Sequence, residues 1–268
     1  MTPRSLVRPL ALVTGASGGI GAAIAVELAG AGHDLLLVAR GTEAMESLGT
    51  DLQRRHGVDY RVVGMDLAEH DAVDRLVAAL EEAGSEVDVL VNNAGFADYG
   101  EFAGSDPAKQ REMLAVNVMA LTLLTRALLP GMLQRGRGRV LNVASTAAFL
   151  PGPMMSVYFA SKAYVLSFSE ALAEEVRGTG VTVTTLCPGP VATGFQERAE
   201  MQDSKLLRQS TNPMMDAESV ARAGVAGMQR GAGVVLPGAV NKITARVPRL
   251  LPRRVLTRAM KRAQARVS

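Results

Sequence analysis

The sequence predicts an α/β protein, a doubly wound parallel sheet of seven strands with helices on both faces. Three observations carry that expectation. Seven short apolar runs, of the length a buried strand needs, alternate with longer stretches of helical period. The first run leads straight into a glycine-rich turn and an alanine-rich helix. With 268 residues, 48% of them apolar and 21% charged, the chain can bury one large core in a single unit.

Residues 10–13, Leu-Ala-Leu-Val, form the first strand. Thr14-Gly15-Ala16-Ser17-Gly18-Gly19-Ile20-Gly21 then turns the chain into a helix that runs to about Ala31. Strand, glycine turn and helix N-terminus in that order make an anion site, because free backbone N–H groups and the helix dipole converge on the turn. Glycines let a pyrophosphate approach the backbone, although the spacing of Gly15, Gly19 and Gly21 departs from the common GxGxxG pattern. The second strand, Asp34 to Val38, ends at Ala39-Arg40. In nucleotide-binding βαβ units an acidic residue about 20 positions past the glycines holds the ribose hydroxyls, whereas an arginine suits a 2′-phosphate. Arg40 therefore favours NADP over NAD, the plain alternative being a solvated arginine.

A helix over 43–56 leads to a third strand, Tyr60 to Val63. Asp66 lies just past it, on the ligand side of an open parallel sheet or else as the N-cap of a helix from near Glu69 to about Ala83. The fourth strand, Val87 to Val91, runs into Asn92-Asn93-Ala94-Gly95, which either floors a ligand or simply turns. One long helix is expected from Pro107 to Gln134, with Asn117 in its middle. Asparagine competes for backbone bonds inside a helix, so a buried Asn117 needs a polar role. The fifth strand, Arg139 to Val143, ends at Ala144-Ser145, and a helix from Ser156 to about Gly178 carries Tyr158. The sixth strand, Val181 to Cys187, ends at Pro188-Gly189-Pro190, and a helix over 216–230 leads to the seventh, Gly233 to Leu236.

Composition narrows the function classes. The single Cys187 forms no internal disulfide, which fits a reducing cytoplasm, and His33, His56 and His70 show no ligand spacing, so no metal site is expected. No run of about 18 uncharged apolar residues is present, and no membrane span is expected. Nine of the 29 Lys and Arg residues lie between Lys242 and Ser268, which holds no Asp or Glu; the other 20 face 26 acidic residues in 1–241. The division predicts a domain over 1–241 and a basic amphipathic extension over 242–268. In that extension Leu250, Leu251, Val255, Leu256 and Met260 alternate with arginines after Pro248 and Pro252. It suits peripheral contact with an anionic membrane, a neighbouring subunit, or docking on its own domain. The net acidic body and 4% aromatic content argue against a nucleic-acid partner.

Tyr158 and Lys162 stand four apart on one helix, so the ammonium lies close to the phenol. A fixed cation favours the phenolate and lowers the phenol pKa toward the working range, which makes Tyr158 a candidate general acid/base. With the glycine turn, Asn-Asn-Ala-Gly, Ser145, Tyr-x-x-x-Lys and Pro-Gly in this order, residues 10–240 resemble the short-chain dehydrogenases/reductases of about 250 residues, with a Rossmann-like fold.

The resemblance implies a site residue by residue. Gly15, Ser17, Gly19, Ile20 and Gly21 would wrap the pyrophosphate, Arg40 would hold the 2′-phosphate, and Asp66 with Leu67 would meet the adenine. Asn93, Ala94 and Gly95 would line the middle of the cofactor, and Pro188, Gly189, Val191 and Thr193 would flank the nicotinamide. Asn117, Ser145, Tyr158 and Lys162 would be catalytic, Tyr158 exchanging a proton with a carbonyl or alcohol, Lys162 holding the ribose, and Asn117 fixing a water. NADPH is the implied cofactor, a ketone, aldehyde or alcohol the implied substrate, and a homodimer or homotetramer the implied assembly. Substrate choice is expected in a lid over Gly194 to Pro213, with Phe96, Phe149, Met154 and Met155 as pocket walls or ordinary packing. A non-catalytic, NADP(H)-sensing relative of the same fold would be expected to lack Tyr158 or Lys162, and both are present.

Overall fold

The computed structural model describes residues 8–199, 201, 214–246 and 252–265. Within them β1 (Leu10–Thr14), β2 (Asp34–Ala39), β3 (Tyr60–Gly64), β4 (Val87–Asn92), β5 (Gly138–Val143), β6 (Val181–Leu186) and β7 (Val234–Val235) form one sheet. The order is β3-β2-β1-β4-β5-β6-β7, and every pairing is parallel. Helices cover both faces, which is why the strands read as continuous apolar runs rather than alternating ones. On one face Ala11, Val13 and Leu35 pack with α1 (Gly19–Gly30), α2 (Glu43–His56) and α8 (Ala217–Gln229). On the other, Leu12, Leu36 and Leu90 pack with α3 (Ala72–Glu82), α5 (Leu121–Arg135) and α6 (Ser156–Glu175). The strand order reverses between β1 and β4, so a crevice opens beyond their C-terminal ends, where open α/β sheets bind ligands.

The single long helix expected over 107–134 is instead three segments. Asp106 caps α4 (Pro107–Leu114) by accepting from the Ala108 N–H, a π turn occupies Ala115–Ala120, and α5 follows. The π turn lies at the buried Asn117 and widens the helix where it faces α6. This run is long and apolar enough to cross a membrane by length and composition alone. Leu124 and Met132 turn one side of it into the core, while Met119, Leu123 and Leu133 stay exposed.

Three other expectations need correction. The helix after β3 begins at Ala72, not near Glu69, because Asp66 closes a turn of its own by accepting from the Ala68 N–H at 3.0 Å. The seventh strand is two residues long. The boundary at 241/242 falls inside α9 (Ala239–Arg246), whose Asn241 donates to the Pro237 carbonyl at 2.7 Å, so this stretch belongs to the domain. Beyond it α10 (Arg253–Ala263) docks on the body through Met260. Of the apolar stripe, Leu256 and Met260 are partly buried while Val255 is exposed among the arginines. Leu250 and Leu251 lie outside the described residues.

A buried polar ladder crosses the sheet beneath the crevice. Asn92 on β4 donates to Thr125 Oγ1 at 3.0 Å and to Asn142 Oδ1 at 2.9 Å, and Asn142 on β5 donates to Ser169 Oγ at 2.8 Å. It fastens α5 and α6 to the two strands whose ends carry the site. Asn142 was legible only as a polar residue inside an apolar run.

Candidate active site

The crevice is built around the turn after β1. Gly15 sits at φ +66, and a Cβ there would lie 2.8 Å from Asn93 Nδ2. A Cβ on Gly21 would lie 2.3 Å from the Gly15 carbonyl oxygen, so the turn closes only with glycine at both places. Thr14 knots the two central strands, its Oγ1 accepting from the Asn93 and Ala94 N–H groups at 3.0 Å each and donating to the Val91 carbonyl. Asn93 spends its side chain in the same knot, donating to the Thr14 and Gly15 carbonyls. Its Nδ2 therefore shapes the turn, and only its Oδ1 is left for a ligand.

At the start of α1 no side chain caps the helix and no acidic residue stands in the first turn. Its N–H donors are left for an outside anion. A Cβ on Gly18 would meet nothing within 4 Å, and Ser17 beside it is exposed, so the donors face open space. Ile20 packs back on the core, and Thr193 closes over Gly19 from the far side. This uncapped, positively polarised cradle fits a dinucleotide pyrophosphate.

Other sequence-derived residues ring the crevice. Arg40 is exposed at the end of β2 with no ion pair among the described residues. Asp66 is half-buried beyond β3, while the Leu67 side chain packs in the core and offers a ligand only its backbone. Ala94 likewise packs inward. Pro188 accepts from the Thr146 N–H at 2.8 Å, Gly189 makes room for Asn241, and Val191 is buried in a bridge to Met215.

The four candidate catalytic residues converge. Lys162 and Tyr158 are both buried on α6, with the ammonium 5.8 Å from the tyrosine ring centre and donating to the Val143 carbonyl at 2.9 Å. Ser145, at the end of β5, pulls the Tyr158 pKa down, and its Oγ accepts from the Ala147 N–H and donates to the Pro188 carbonyl at 3.4 Å. Asn117 clamps the Phe96 backbone from both sides, accepting its N–H at 3.0 Å and donating to its carbonyl at 2.9 Å, and also donates to Ser161. Both amide donors are spent on protein, so one lone pair of its oxygen is all the side chain has left for a water.

Charge behaves differently here from what the Tyr-Lys spacing suggests. Burial pushes the Tyr158 phenol up to about 12, against the pull of the Ser145 hydrogen bond. Lys162 adds no lowering pull here; its ammonium lies over the ring and donates to the Val143 carbonyl. Burial also pulls Lys162 down to about 8, opposed by the neighbouring Cys187 sulfur.

The wall over Tyr158 is apolar. Phe195, opening the short α7 (Phe195–Arg198), lies 5.6 Å from the Tyr158 ring, and Phe96, Met154 and Met155 share its cluster. Phe149 packs instead against Leu121 and Val165. Met260 of α10 joins the Tyr158 cluster from the far end of the sequence. The sequence marked Met260 as part of an apolar stripe but could not say what the stripe covers, and Phe195 carried no signal beyond being an aromatic in the expected lid. Residue 200 and residues 202–213 of that lid lie outside the described residues.

Comparison with known proteins agrees with this geometry. A sequence model described as short chain dehydrogenase matches residues 9–204. A very-long-chain 3-oxoacyl-CoA reductase from Anas platyrhynchos is 35% identical over 234 residues, covering 85% of this chain and 72% of the relative. A sulfoacetaldehyde reductase from Chromohalobacter salexigens is 41% identical over 185 residues, covering 68% and 72%. A short-chain dehydrogenase from Sphingobium yanoikuyae, solved in complex with NADPH, superposes with a TM-score of 0.79 at 30% identity, over 96% of this chain and 98% of that one.

Gly95 tests how tightly the site is packed. A Cβ there would lie 2.9 Å from Asn117 Oδ1 and 3.4 Å from Lys162 Nζ. Gly95→Ala should force Asn117 off Phe96 and lower stability in urea unfolding by about 1–3 kcal/mol. An unchanged midpoint would show that the space beside Asn117 is slack.

Proposed function

The chain belongs to the short-chain dehydrogenase family, and on that premise we propose that it is an NADP(H)-dependent oxidoreductase that interconverts a carbonyl and an alcohol, with Tyr158 as proton donor and acceptor. The observation that carries the reading is the convergence of Ser145, Tyr158 and Lys162 in one buried pocket beside an uncapped, glycine-built anion cradle. The exposed, unpaired Arg40 at the end of β2 supports the 2′-phosphate form of the cofactor, as does the NADPH held by the Sphingobium relative. Relatives named as 3-oxoacyl-CoA and sulfoacetaldehyde reductases support carbonyl reduction, and the apolar wall over Tyr158 supports a substrate with an apolar body.

The residues divide the work by position. When bound, the nicotinamide supplies the hydride that reduces the carbonyl carbon. Ser145 Oγ and the Tyr158 hydroxyl hydrogen-bond the carbonyl oxygen, on which negative charge builds. Tyr158 gives its phenolic proton to that oxygen, so the O–H bond lost by the phenol is gained by the alcohol. The Lys162 ammonium, beside the Tyr158 ring, would hold the cofactor's sugar. Phe195 and its neighbours keep water from the exchange.

The outer face of the α4–α6 layer supports a homodimer. Met119, Leu123 and Leu133 are exposed there together with Tyr164, which stacks on Phe168 at 5.8 Å. An apolar surface of this kind is suited to burial against a second copy. Light scattering should give at least twice the chain's mass, and a monomer at micromolar concentration would contradict it.

The catalytic assignment is tested by Tyr158→Phe. The variant should bind NADPH within about twofold of the parent, and more tightly than NADH, while losing about 10²- to 10⁴-fold in turnover. Lost NADPH binding, or turnover within tenfold of the parent, would count against it. The pH profile is a second check. Lys162 is charged below its value of about 8, and Tyr158 keeps its proton up to about 12. Reduction should therefore hold steady at neutral pH and decline as pH rises through about 8. A rate that climbs from pH 7 to 9 would show that the ammonium is not required.

A further inference from the structure

The basic stretch at the end of the chain has no part in the catalytic reading, and α10 turns its cations to water. On that helix and its end, Leu256, Met260, Ala263 and Gln264 are the less exposed positions, and Met260 packs against the cluster that holds Tyr158. The Tyr99 hydroxyl donates to the Gln264 carbonyl and fastens the end of the helix. Arg254, Arg258 and Arg262 follow one another at every fourth position of the opposite side. They therefore form one row, with about 6 Å of rise between neighbours, and Lys261 stands beside it. All four are exposed.

These cations have no counter-charge. Elsewhere on the surface arginines are matched, Arg54 and Arg55 by Asp51, Arg75 by Glu69 and Asp71, and Arg177 by Glu174. Neither Lys242 nor any basic residue of α10 has an ion pair among the described residues. Like charges one turn apart on a helix repel, so the row gains whenever anions from outside settle on it. Apolar side chains accompany the charge. Val255, on the same side as Arg258 and Arg262, is 53% exposed, and on α9 Ile243 beside Lys242 is 61% exposed. A nucleic-acid backbone has no use for these, and no aromatic residue follows Pro237 to stack on a base. A bilayer uses both, since cations meet its phosphates and apolar side chains enter the boundary beneath them.

We propose that the outward face of α10 docks on an anionic lipid bilayer, with Arg254, Arg258, Lys261 and Arg262 on the headgroups and Val255 entering between them. Residues 1–241 carry 20 basic and 26 acidic side chains, so the attraction is confined to this end of the chain and fixes which way the protein faces. Because the other side of the helix packs against the Tyr158 cluster, the bilayer lies about one helix diameter, roughly 10 Å, from the wall of the site. The inference stands apart from the reductase reading, and its test involves no turnover.

Sedimentation of the full chain with phosphatidylcholine vesicles containing about 30% phosphatidylglycerol, at about 0.02 M and 0.5 M NaCl, reads this out. The protein should sediment with them at low salt, lose most of its binding at high salt, and stay in solution with pure phosphatidylcholine. Each cation at such a surface contributes about fivefold to the partition coefficient, so the triple variant Arg254→Gln, Arg258→Gln, Arg262→Gln should lower it about 100-fold. Should that variant fail to fold, Arg258→Glu is read in the same way, with a loss of about tenfold or more. No binding to the anionic vesicles, equal binding to neutral ones, or an unmoved partition coefficient in the variant would overturn the inference. So would tighter binding to a duplex DNA fragment than to the vesicles, or a fall in the solution mass of the triple variant, since the face would then belong to nucleic acid or to a second copy of the chain.

Discussion

A buried ammonium group sets the terms for this site. Lys162 has almost no exposure to water and satisfies one of its three donors on the Val143 carbonyl, at the very end of β5. Such a charge is costly to bury without fixed partners, so the parts that hold it must be placed with care. β5 must end at Val143, α6 must begin at Ser156, and the fourth strand's exit must pass Gly95 beneath the lysine without a side chain. The Asn92–Asn142–Ser169 ladder and the Asn117–Phe96 clamp meet these demands by locking strands to helices through the buried layer. The π turn around Asn117 belongs to the same solution, since it lets a helix-interior asparagine reach backbone that a regular helix would leave to itself.

The contest between burial and charge decides how Tyr158 stands ready. A cation nearby would lower the phenol pKa, and burial would raise it. Here burial is the larger effect, and Ser145 supplies the one compensating pull. The phenol is therefore a stored proton at neutral pH, which is the form a reduction consumes. A closed cleft thus favours the acid, and oxidation would need the cleft to become more polar before the phenolate forms.

The parallel sheet of seven strands and the cradle were legible in the sequence, because each rests on a local pattern: apolar runs of strand length and a glycine turn directly after the first. The grouping of Asn117, Ser145, Tyr158 and Lys162 came only with the family resemblance, since they sit on a π turn, a strand end and a helix far apart in sequence. What the sequence could not show depends on distant contacts. Asn93 and Asn117 look free until their backbone partners come into view, and Leu67 is a core residue because α3 starts late. The tail read as a basic amphipathic helix, and it is one, but only packing shows that Met260 joins the Tyr158 cluster and that the Gln264 carbonyl accepts from Tyr99. The Tyr158 pKa misled for the same reason, since spacing along a helix says which side chains are neighbours and nothing about how much water they keep.

Direct titration of Tyr158 in the free protein is the measurement closest to the centre of this account. Tyrosine labelled with ¹³C at Cζ gives one resonance for each of the four tyrosines, and comparison with Tyr158→Phe assigns the one of interest. If burial holds the proton in place, that signal stays in its phenol position beyond pH 10. A Tyr158 signal that titrates at or below pH 10 would contradict the account, since the ammonium, and not the dry pocket, would then control the acid.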